Sequence, residues 1–148
     1  PPNPADMYLD EVEYEAGPRI QRRADPLGAH LALLAALYED DVRAVAARGG
    51  LAGYLHVLDS AYTYLSLEVI VLGILESGDM ADVMAALAPR PVAVAELVDG
   101  RNLLAPAAGL EQTLAPARRA YEEARAADRF RTAAEFRDPA AWLVANLK

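Results

Sequence analysis

From residue 19 onward, short apolar runs alternate with helical stretches, and this order constrains the fold more than any other feature of the chain. The runs are "RIQRR" (19–23), "VRAVAARGG" (42–50), "PVAVAELVDG" (91–100) and "RFRTAAEF" (129–136). The third is the clearest strand, bounded by Pro91 and by Asp99-Gly100. Between them, "GAHLALLAALYEDD" (28–41) reads as a buried helix ended by acidic residues. "LAGYLHVLDSAYTYL" (51–65) and "SLEVIVLGILES" (66–77) read as two more helices. "GDMADVMAALAPR" (78–90) takes Asp79 or Asp82 as N-cap and is stopped by Pro89 and Pro91. "GLEQTLAPARRAYEEARAAD" (109–128) is amphipathic, with a kink or a break expected at Pro116. "DPAAWLVANLK" (138–148) opens on an Asp-Pro cap signal and forms a terminal helix.

Alternation of this kind implies parallel strands joined by crossovers, with helices on both faces of the sheet. The expected fold is therefore α/β, with four or five mostly parallel strands. Ligands on such sheets bind at the carboxyl ends of the strands. Those ends fall at residues 24–28, 48–53, 98–106 and 136–139. Residues 1–18 form an N-terminal extension or an edge strand, and "EVEYEAGPRIQRRA" (11–24) reads as two short extended runs around Gly17-Pro18, a hairpin or a linker into a single strand. Residues 19–148 form the domain.

Composition narrows the function classes. A net charge of −8 argues against a nucleic-acid partner, which needs clustered Lys and Arg. The absence of cysteine removes disulfides, thiolate metal sites and cysteine nucleophiles together. The apolar run "SLEVIVLGIL" (66–75) is about half of the roughly 20 residues a membrane span requires, so no membrane partner is expected. "PPNPADMYLDE" has no basic n-region or apolar h-region, so no signal peptide is visible in it. A first residue other than Met fits a processed product or a piece of a longer protein. No pair of carboxylates with a supporting His has metal-ligand spacing, and no cofactor is expected.

"GDMADVMAALAPRPVAVAELVDG" (78–100), "LGAHLALLAALYEDDVRAVAARGGL" (27–51) and "LAPARRAYEEARAADRFR" (114–131) carry a resemblance. In this order they resemble the C-terminal half of an α/β-hydrolase, close to the acetyl xylan esterase and dienelactone-hydrolase-like branch. The most specific element is Ala-Pro-Arg-Pro at the end of a helix, feeding the strand that carries the triad acid in that branch. The resemblance implies a partial α/β-hydrolase-like three-layer sandwich. It also names three positions at which catalysis would be seen.

All three positions fail. The family's Gly-x-Ser-x-Gly elbow exposes a strained nucleophilic Ser. Registered on Gly28, the Ser position holds Pro26, and the first Gly is replaced by Ala24. Registered on Pro106, the acid position holds Asn102, with Asp99 nearby but earlier; Asn cannot hold an imidazolium as a carboxylate does. The loop after the last strand, "EFRDPAAW" (135–142), contains no His. The only histidines are His30 and His56.

Weaker candidates remain. Asp25, in the turn before the first helix, becomes an aspartate nucleophile if the register shifts by one. His30 reads as a partly buried residue at the start of a helix, or as a polar group near a helix N-terminus that favours anions. Asp99-Gly100 reads as a turn, and Glu96 as a lone acid facing a partner or water. His56, Asp59 and Ser60 share a short helical stretch whose better reading is surface or lid packing. Tyr54, Tyr62 and Tyr64 read as cap or interface packing, or as an aromatic ligand cluster. Arg118, Arg119, Glu122 and Glu123 read as solvated surface. Two functions follow: a non-catalytic α/β-hydrolase-like interaction or structural module, or an esterase completed by another chain or segment. The strand at 19–23 would lack its upstream neighbours, so either residues 7–16 cover its open edge or another chain does, and a homo-oligomer or pairing with a separate N-terminal half is expected there.

Overall fold

A computed structural model describes residues 25–59, 61–133 and 137–147. Helix α1 spans Leu27–Tyr38, β1 Val45–Arg48, α2 Leu55–Leu58, α3 Met80–Ala86 and β2 Val92–Ala95. Helices α4 (Ala107–Thr113) and α5 (Ala115–Glu123), strand β3 (Phe130–Ala133) and helix α6 (Pro139–Asn146) complete the order. Among the described residues the sheet has three strands in the order β1-β2-β3, all parallel. Val92 stands between Val45 and Phe130, so the strand read most clearly from the sequence is central. Every residue of β2 is buried, as a strand covered on both faces requires.

The core forms on the face that presents Val45 and Ala47, Val92 and Val94, and Phe130. Leu33 and Ala36 of α1, Met80 and Met84 of α3, and Ala117 and Tyr121 of α5 pack onto it. The three helices are one layer, α1 touching α3 and α3 touching α5. Alanines in the strands allow this close approach. Tyr121 stacks on Phe130 at 5.1 Å between ring centroids. Its hydroxyl donates to the Arg90 carbonyl at 2.5 Å. Burial pushes that phenol above its usual range. Ala93 and Ala95, which point to the opposite face, are also buried, and α6 reaches β1.

Local chemistry sets the boundaries. Asp79 caps α3 and Asp82 returns the bond to the Asp79 amide at 2.7 Å, a reciprocal capping box. Pro116 takes the first turn of α5, and the expected long helix is two helices meeting at Leu114. Asp138 caps α6 through the Ala141 amide at 2.8 Å.

Two expectations are corrected. The stretches 51–65 and 66–77 are not two helices: they hold the single turn of α2 and short 3₁₀ turns at Leu67–Val69 and Ile74–Glu76. Gly73 sits at φ 77°, which ends any helix through it. Thr63 and Tyr64 are held to the Gly100 carbonyl, which draws the chain out of helical register after Leu58. Three of the four expected strands lie in the described sheet; the run at 19–23 and the extension 1–18 lie outside the described residues. Arg118 is not simply solvated: its guanidinium bonds Thr132 at 2.9 Å and Glu111 at 3.0 Å, and lies 5.9 Å from the Phe130 ring centroid.

Candidate functional site

The carboxyl ends of β1 and β2 meet the first turn of α1. A Cβ placed on Gly50 would stand 3.0 Å from the Ala29 Cβ and 3.6 Å from Leu97. The start of α1 therefore sits at the rim of the sheet, where the strand-turn-helix reading put it. Beyond the strands the chains stay paired, through a parallel bridge from Leu51 to Val98 and an antiparallel one from Val98 to Leu104.

At this rim Pro26 is fully buried. It offers only its carbonyl, which accepts the His30 amide at 3.1 Å. Asp25 is exposed, and its Oδ1 accepts the Leu27 amide at 2.9 Å, a local turn bond that aims the carboxylate at its own backbone. Neither residue makes a described hydrogen bond to an imidazole.

Past β2, Glu96 adopts φ 52°, a left-handed conformation that costs a non-glycine residue about 1–2 kcal/mol. Its carboxylate is buried and its Oε1 lies 2.7 Å from the Arg48 Nε at the end of β1. The lone acid of "AVAELV" thus faces a charged partner on the neighbouring strand. Nothing in the sequence singles out Arg48 for this role, because the register of β1 on β2 decides it. Asp99 folds its loop as a turn: Oδ1 accepts the amides of Arg101 at 2.9 Å and Leu103 at 3.0 Å. Asn102, at φ 57°, occupies the left-handed position of that loop. Its part is conformational, and the acid position of the resemblance is filled by a turn residue.

The loop after β1 closes over this turn. A Cβ on Gly100 would lie 2.6 Å from the Val57 Cα and 2.7 Å from the His56 carbonyl oxygen, so the two backbones touch. His56 Nε2 lies 3.0 Å from the Thr113 hydroxyl. That hydroxyl gives its single proton to the Gly109 carbonyl, so His56 must donate. His56 Nδ1 stands 3.8 Å from the Asp59 carboxylate. Ser60, the third member of the relay reading, lies outside the described residues.

His30 is directed inward from α1 and is 4 % exposed. Its Nε2 lies 2.9 Å from the Tyr54 hydroxyl, which donates to the Val69 carbonyl at 2.6 Å. The phenol has one proton, so the imidazole donates from Nε2 and keeps Nδ1 bare. That Nδ1 is buried without a hydrogen-bond partner. Burial holds the imidazole below its usual range, against an opposing pull from the Asp79 carboxylate. Asp79 also accepts the Tyr54 amide at 2.6 Å and the Leu55 amide at 3.3 Å, tying this loop to the start of α3. Gly53 permits that approach; a Cβ there would be 2.8 Å from Asp79 Oδ2. Tyr54 and Asp79 make His30 a packing residue. Tyr54 is buried while Tyr62 and Tyr64 are exposed, so the three tyrosines do not form one aromatic cluster.

Chemically, the rim holds a neutralised carboxylate (Glu96), two carboxylates turned onto backbone amides (Asp25, Asp99) and two imidazoles engaged elsewhere. A general base has to reach the proton it abstracts at about 2.6–3.2 Å. Among the described residues neither histidine is bonded to a serine; the Ser66 hydroxyl is buried without a partner. Among the described residues no three His, Cys, Asp or Glu side chains converge as a metal site would need, and no helix is long and apolar enough to cross a membrane. No protein-family model matches the chain, and neither a curated protein nor a solved structure does.

Proposed function

We propose that the chain is a non-catalytic α/β-hydrolase-like domain serving as an interaction or structural module. The observation that carries this reading is the chemistry of the turn at the sheet rim. Pro26 fills the position a nucleophile would take, and the nearest polar groups serve the fold. The parallel order of β1, β2 and β3, with α1, α3 and α5 on one face, supports a partial hydrolase-like sheet. A second copy or a separate N-terminal half would add to the open edge expected at the strand 19–23, which lies outside the described residues.

The test is turnover of a p-nitrophenyl acetate series by the purified protein and by Pro26→Ser. Both are expected at the rate of buffer alone, since a serine placed there still lacks a base. Turnover by the unmodified protein that a serine-directed phosphonate abolishes would establish the other reading, a carboxylic-ester hydrolase completed by another chain or segment.

A further inference from the structure

The segment between α2 and α3 exposes large apolar side chains although both of its ends are anchored. The Tyr54 hydroxyl holds the Val69 carbonyl, and Thr63 and Tyr64 hold the Gly100 carbonyl. Between and around these anchors Leu72 is 92 % exposed, Leu67 85 %, Leu58 70 %, Leu55 59 % and Tyr64 55 %. Apolar exposure on that scale marks a contact surface.

Charge identifies the occupant. Between Arg48 and Arg90 the sequence has no Lys or Arg. Asp59, Glu68 and Glu76 lie exposed among the apolar residues. A second copy would bring the same carboxylates, on a chain of net charge −8, against themselves. An anionic bilayer or a nucleic acid is repelled for the same reason. An apolar surface set with carboxylates complements a helix with leucines on one face and Lys or Arg on its flanks. We infer that the exposed apolar side chains of residues 55–59 and 61–76, with Asp59, Glu68 and Glu76, dock a basic amphipathic helix of a partner protein. This rests on the reading of the domain as an interaction module and names the partner's chemistry.

The test is titration of the full chain with a fluorescent helical peptide of Leu and Lys at amphipathic spacing, at low and high salt. Binding is expected, weakening at high salt. Leu67→Gln combined with Leu72→Gln is expected to weaken it at least tenfold, with an unchanged circular dichroism spectrum. Glu68→Gln combined with Glu76→Gln, at exposed sites where folding is not at risk, is expected to weaken it several-fold and flatten the salt dependence. A peptide with the same lysines but serine for leucine is expected to bind at least tenfold less well. Equal binding of the serine peptide, or unchanged affinity of both double variants, overturns the inference. So does an oligomer that dissociates on Leu67→Gln with Leu72→Gln, which assigns the surface to a second copy, or vesicle binding lost in that variant, which assigns it to lipid. Ester turnover by the unmodified protein would overturn the module reading whatever the peptide does; absence of peptide binding would overturn only the partner named here.

Discussion

At the scale of single residues, the polar groups at the sheet rim are committed to holding the fold. His30 is the clearest case. Its donor goes to Tyr54, its other nitrogen is buried and bare, and its pKa lies below the ordinary value of 6.5. The unfolded chain therefore binds a proton more readily than the native one. Stability is fully present above pH 6.5 and falls as pH drops from there toward the native pKa. His30→Gln retains a donor for Tyr54 but cannot titrate. Urea denaturation between pH 7.5 and 5 is expected to show a steeper loss for the unmodified protein than for the variant. Parallel curves would show that the imidazole is not buried in its neutral form. The His30 environment was only partly legible in the sequence: position at the start of α1 pointed to partial burial, but Tyr54 and Asp79 lie 24 and 49 positions away in the chain, and no local pattern couples them.

Among the elements, α3 does more than its length suggests. Its N-cap carboxylate closes the capping box and also receives the amides of Tyr54 and Leu55, so it joins a helix to a distant loop. Asp79→Ala is expected to cost about 2–4 kcal/mol, a lost cap plus an unsatisfied loop amide. Asp82→Ala, which removes only the returning bond, is expected to cost about 1 kcal/mol. Chemical denaturation of the two variants checks the ratio; equal losses would mean that the loop amides do not depend on Asp79. The cap itself was legible, as were the break at Pro116 and the strand in "PVAVAELVDG", because each has a local cause. The stretch 51–77 was not. Its leucines and valines have helical spacing, yet Gly73 and the bonds to Gly100 impose turns, and these tertiary contacts override the local pattern.

For the molecule as a whole, the parallel order of β1, β2 and β3 was legible from alternation alone, whereas the pairing of Arg48 with Glu96 depends on register and was not. The open edge at the strand read over 19–23 is expected to pair with another chain. Light scattering should give a mass above the 15.9 kDa of one chain, and a monodisperse monomer with that edge in solvent would contradict it. The central claim is that nothing at the carboxyl rim is activated for attack. Intact-mass spectrometry after prolonged exposure to an excess of a fluorophosphonate tests it most directly. The expected result is an unmodified chain; a stoichiometric single adduct on one serine, lost on heat denaturation before labelling, would contradict it.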